Sequence, residues 1–81
     1  MNRETIMEKL TDIFKDVFDD VTIELSDNTT SDDIDDWDSL SHITLIADVE
    51  KAFDCKFSMK DLLEMKNVGE MLNRIERIKE A

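Results

Sequence analysis

Across 81 residues the chain contains no proline and one glycine, Gly69. Nothing in its covalent make-up forces a helix to stop, because proline removes a backbone donor and clashes with the preceding turn, and glycine loses the most backbone freedom on becoming helical. Leu, Ile, Met, Glu and Lys, which are abundant, lose little rotamer freedom in a helix. An all-α fold follows. A chain this short holds one core, which predicts a single domain over residues 1–81.

Periodicity divides that domain. From Ile6 the apolar positions Ile6, Met7, Leu10, Ile13, Phe14, Val17 and Phe18 lie on one helical face, with Asn2 as a cap. Residues 19–38, DDVTIELSDNTTSDDIDDWD, have no helical period and carry eight Asp among turn-forming Ser, Thr and Asn. Within this long connection Val21, Ile23 and Leu25 alternate, predicting a brief extended run pinned to the core, and Ile34 with Trp37 anchors its far end. A second helix is predicted over Ser39–Phe53. It has two apolar strips: Leu45, Ile46, Val49 and Phe53 as a core face, and Leu40, Ile43 and Ala47 beside it, for a second packing partner inside or outside the chain. Cys55 and Phe57 point inward in a short connector. Ser58 with Asp61 caps a short helix around Met59–Met65, and Asn67 opens a last helix with Val68, Met71, Leu72, Ile75 and Ile78 on its apolar face. The expected fold is a small four-helix bundle, three longer helices and one short one, with a long loop between the first and second.

Charge narrows the function. Twenty-one Asp and Glu against ten Lys and Arg give a net charge of −11, which repels nucleic acid and anionic membrane and favours basic protein partners. No stretch approaches the roughly 20 apolar residues a membrane span requires, and MNRETIMEKL lacks the apolar core of a secretory signal, so a cytoplasmic location is expected. Lone Cys55 reads as a small core residue. The acid-rich loop fails the register of a calcium-binding EF-hand: from Asp33, Trp37 falls at the fifth position, Asp38 where Gly is needed, and Thr44 where Glu is needed. No metal site is assigned. Ser39 and His42 lie one helical turn apart but have neither an orienting third group nor oxyanion donors in sight, so no catalytic residues are assigned.

One stretch remains, Asp36-Trp37-Asp38-Ser39-Leu40-Ser41-His42-Ile43. On spacing alone Ser39 reads as the N-cap of the second helix. The same position suits a phosphoryl group, which would face free backbone N–H groups at the positive end of the helix.

Here the chain resembles an acyl carrier protein of the kind modified with 4′-phosphopantetheine. The likeness runs nearly full length: helix order, the long first loop, acidity, the Asp38-Ser39-Leu40 tripeptide before an apolar helix, Phe53 closing that helix and Asn67 capping the last. The resemblance implies a non-catalytic carrier with the arm joined to Ser39 through a phosphodiester and acyl groups riding as thioesters on its thiol. It implies that Asp38 helps a phosphopantetheinyl transferase to recognise the site. It also implies that partner enzymes with basic docking surfaces, which load and modify the acyl group, grip Leu40, Ile43 and Ala47, flanked by Asp48 and Glu50. A monomer is expected. Met59, Met65 and Met71 are candidates to line an acyl-chain cavity, or else ordinary core. The chain departs from the family in having Asp36-Trp37-Asp38 where Gly is frequent, and Ser41, Thr44 and Lys51 on a helix that is often more acidic in fatty-acid carriers; fatty acid, polyketide or specialised biosynthesis all remain open, and the departures lean toward a dedicated carrier of a secondary or specialised pathway. An aminoacyl or peptidyl carrier shares fold and arm, and an unmodified adaptor would share the fold alone.

Overall fold

The computed structural model describes residues 2–80. It contains four helices: α1 (Arg3–Val17), α2 (Ser39–Phe53), α3 (Met59–Glu64) and α4 (Val68–Glu80). The core is built where periodicity placed it. Ile6, Leu10 and Phe14 of α1 meet Leu45, Ile46, Val49 and Phe53 of α2 and Val68, Met71, Leu72 and Ile75 of α4, all buried. Among the described residues no helix is long and apolar enough to cross a membrane.

Each helix begins on a side-chain cap. Asn2 accepts the Thr5 N–H at 2.8 Å, Ser58 and Asp61 form a reciprocal capping box at α3, and the Asn67 side chain accepts the Glu70 N–H at 2.8 Å. The exits of α1 and α2 use aspartate where glycine is common: Asp19 and Asp54 both sit at φ 50°, in the left-handed region that Asp tolerates better than most side chains.

The long loop is ordered by serving α4. The first N–H groups of a helix have no partner within it. Here Val68 N–H donates to the Thr29 carbonyl at 3.0 Å and Gly69 N–H to the Asp27 carbonyl at 2.9 Å, with Thr30 and Asn67 paired as an isolated antiparallel bridge. Thr29 is buried and its hydroxyl accepts the Ser26 N–H, closing a turn that presents these carbonyls. Arg3 reinforces the junction by donating to Asp27 and to Asn73 of α4. The alternating run is corrected in one place: Ile23 is buried and Leu25 half-buried, but Val21 is 82 % exposed. It falls in a turn in which the Asp20 carboxylate accepts both the N–H and the hydroxyl of Thr22, so alternation is broken by local hydrogen bonding.

The only glycine sits at this junction for a steric reason. A Cβ on Gly69 would lie 2.9 Å from the Asp27 backbone oxygen. Alanine is ordinarily better than glycine in a helix by about 1 kcal/mol. At Gly69 the sign reverses, and Gly69→Ala is expected to lower stability by about 1–3 kcal/mol in urea unfolding. A stabilised variant would refute the close approach.

Candidate functional site

The start of α2 is organised by Asp38. Its carboxylate accepts the N–H groups of Leu40 and Ser41 at 3.0 and 2.9 Å, and the Ser41 hydroxyl accepts the Asp38 N–H at 2.8 Å, completing a capping box. This corrects the cap: it is Asp38, and Ser39 is the first helical residue. The reason is that Ser41 answers Asp38 three residues on, a reciprocity Ser39 would lack, since three residues on it meets His42. It corrects the expected anion seat as well, because two N–H groups of the first turn already bind the Asp38 carboxylate.

Relieved of capping, Ser39 is exposed, and among the described residues its hydroxyl makes no hydrogen bond. Leu40 and Ile43 beside it are 78 % and 56 % exposed, and Ala47 is exposed one turn further on. The outer strip of α2 therefore has no partner within the described chain. The flanking acids differ. Asp48 is half-buried, and Glu50 accepts the Phe57 N–H at 2.7 Å, so its carboxylate secures the connector to α3 instead of standing free on the outer face.

An open groove of about 590 Å³ runs from Ser39 between α2 and α3. Ile43, Met59 and Leu63 give it an exposed apolar rim, Trp37 and Met65 are its buried lining, and Lys66 is the one cation among the lining residues. The methionine reading holds in part: Met59 and Met65 line the groove, whereas Met71 is buried in the core and does not. A second hollow, about 340 Å³, lies under the first loop among Asp20, Glu24, Asp33, Asp35 and Asp36. Among the described residues no group of three acids, histidines or cysteines is placed to hold a metal ion. Cys55 is half-buried, and burial raises the pKa of its thiol, which disfavours the reactive thiolate.

Periodicity did not reveal what joins Trp37 to His42. Trp37 is buried with its ring nearly perpendicular to that of Phe14, centroids 5.2 Å apart, stacks on His42 at 5.9 Å, and donates its indole N–H to His42 Nδ1 at 3.0 Å. The signal was present as spacing. Trp37 precedes the cap and His42 is the fourth helical residue, the two positions of a hydrophobic staple.

A family model described as a phosphopantetheine attachment site matches residues 8–75. The chain belongs to that family of carrier proteins, whose members hold phosphopantetheine covalently. Among solved structures, a holo acyl carrier protein from Geobacter metallireducens is 42 % identical and superposes with a TM-score of 0.82, covering 88 % of this chain and 82 % of that one. The search of curated proteins found no match.

Two predictions separate Asp38 from Ser39. Asp38→Ala should clearly lower the midpoint of urea unfolding, whereas Ser39→Ala should stay within about 0.5 kcal/mol of the parent, as an exposed site without structural bonds does. The Ser41 N–H holds the Asp38 carboxyl below the usual carboxylate range against an opposing effect of burial, with lesser help from the Ser41 hydroxyl and the Leu40 N–H. A depressed folded pKa adds stability that is fully present above the unfolded value and lost as pH falls through the folded one. Acid titration of stability should therefore be shallower below the usual carboxylate range in Asp38→Asn, which keeps a capping oxygen but no titrating group.

Proposed function

We propose that this chain is a cytoplasmic acyl carrier protein, a single non-catalytic domain over residues 1–81, that bears its arm on Ser39. The observation that carries this reading is the Ser39 hydroxyl: exposed, free of structural hydrogen bonds, and fixed at a helix start by a neighbour that does the capping. The residues around it suit the group. The hydroxyl is open to an incoming phosphoryl centre, the apolar rim of the groove can lie along the arm, and Lys66 offers a charge opposite to that of a phosphodiester. When attached, phosphopantetheine supplies a thiol on a flexible tether, which carries acyl groups as thioesters.

The chain's own part is presentation. Asp38 fixes the first turn and so the direction in which the Ser39 side chain leaves the helix. Leu40, Ile43 and Ala47 form the apolar strip against which a phosphopantetheinyl transferase and the acyl-loading and acyl-modifying enzymes close, and the net charge of −11 draws partners with basic surfaces. Asp48 contributes at the edge of this surface. Thr44 and Lys51 are exposed on the same helix, so its outer face is more apolar than acidic, which favours dedicated partners of a specialised pathway.

The test is intact mass before and after incubation with coenzyme A and a broad-specificity phosphopantetheinyl transferase. A gain of one phosphopantetheine that disappears in Ser39→Ala supports the assignment. A gain that persists in Ser39→Ala moves the site elsewhere, and no gain by the folded, unmodified protein favours an adaptor. Leu40→Arg and Ile43→Arg should each slow loading about tenfold or more through the lost apolar contact, with the circular-dichroism melt unchanged. An unfolded variant would assign that residue to the core.

A further inference from the structure

His42 is engaged at both ring nitrogens. Nδ1 accepts the Trp37 indole N–H at 3.0 Å, and an indole nitrogen only donates, so Nδ1 carries no proton. Nε2 lies 3.1 Å from the Leu62 carbonyl oxygen, which only accepts, so Nε2 carries the proton. The partners impose one neutral tautomer, and the chain of donors runs from the end of the first loop, through α2, to α3.

That chain matters because α3 is lightly held. None of its six residues is fully buried, and Leu62 is its one apolar side chain packed against the core. Toward α4 it is held by Arg74, which reaches Asp61 and Glu64 at 3.2 Å. Toward α2, among the described residues, its one polar tie is the His42–Leu62 bond. Trp37, His42, Leu62 and Met65 all line the groove that begins at Ser39, and Phe14 backs Trp37 from within the core.

We propose that His42 is a positioning residue that clasps α3 to α2 and confines cargo on Ser39 to the outer part of the groove, making this a carrier of short acyl groups. The cargo half rests on the attachment proposed above. A long apolar chain moving inward past Met65 must part α2 from α3, which strips the Leu62 carbonyl of its donor and disturbs the stacked Trp37. Short acyl groups need only the rim of Ile43, Met59 and Leu63.

The experiment uses nitrogen-15 and methyl NMR at neutral pH on the full chain, unmodified and then loaded on its arm with butyryl or dodecanoyl, loading being checked by mass. In the parent, His42 should show an unprotonated Nδ1 and a protonated Nε2. Neither cargo should shift these signals, the Trp37 indole N–H or the Met65 methyl. In His42→Ala the α3 amides should exchange about tenfold faster or more, and dodecanoyl should now move the Met65 methyl. Two further variants cover a failure of His42→Ala to fold. His42→Gln keeps a donor for Leu62 and should restore slow α3 exchange; His42→Asn keeps an acceptor for Trp37 and should restore the indole signal without slowing α3. A protonated Nδ1, α3 exchange indifferent to all three variants, or a Met65 methyl moved by dodecanoyl in the parent would overturn the proposal. An arm that never attaches to Ser39 would overturn the cargo half together with the reading beneath it, while the tautomer and exchange results on unmodified protein decide the clasp independently.

Discussion

The perpendicular packing of Trp37 on Phe14 is the contact on which the site depends. It belongs to the core by burial and to the site by sequence, one residue before the cap of α2. A loop with eight Asp and no Lys or Arg between residues 19 and 38 has little of its own to hold it against self-repulsion. Burial of one large aromatic ring fixes its far end, and the capping box then fixes the helix start relative to that ring. Ser39 inherits its position from both.

The division of labour at that helix start is physically economical. Asp38 satisfies the first-turn donors, Ser41 satisfies Asp38, and Trp37 with His42 sets the entry angle of the chain. The residue left with no structural task is the one whose hydroxyl faces solvent. Acidity is divided in a similar way. Asp19 and Asp54 turn the chain, Asp61 caps, Glu50 holds the connector, and only part of the net charge is left to face a partner.

Much of this was legible in the sequence because it is periodic or local. The bounds of α2, its core face and the caps at Asn2, Ser58 and Asn67 follow from spacing and side-chain chemistry within a few residues; spacing also marks the strip of Leu40, Ile43 and Ala47 but leaves open whether it packs inside the chain or faces out. The misreadings have local causes of a different kind. Val21 fits an alternation that the Asp20–Thr22 turn interrupts, and Ser39 fits a cap by residue type, whereas the reciprocal bonds with Ser41 place the cap at Asp38. What spacing could not supply was long-range: the loop carbonyls that receive Val68 and Gly69, and the carbonyl of Leu62 that receives His42, are chosen by the packed fold.

The junction between the loop and α4 also ties the approach to Ser39 to a distant part of the chain. Thr30 meets Asn67 only after a stretch of chain that contains the whole of α2 and α3 has been closed into a ring, and the entropy of that closure must be met before either bond forms. Pairing α1 with α2 closes a stretch of similar length, as Lys9 over the Phe53 ring shows, so the two closures are comparable in entropy. The loop that leads to Ser39 gains its register from the carboxyl-terminal helix, so the middle of the chain is finished by its end. Loss of the Val68 and Gly69 bonds would therefore unsettle the approach to Ser39 without a change to any residue next to it.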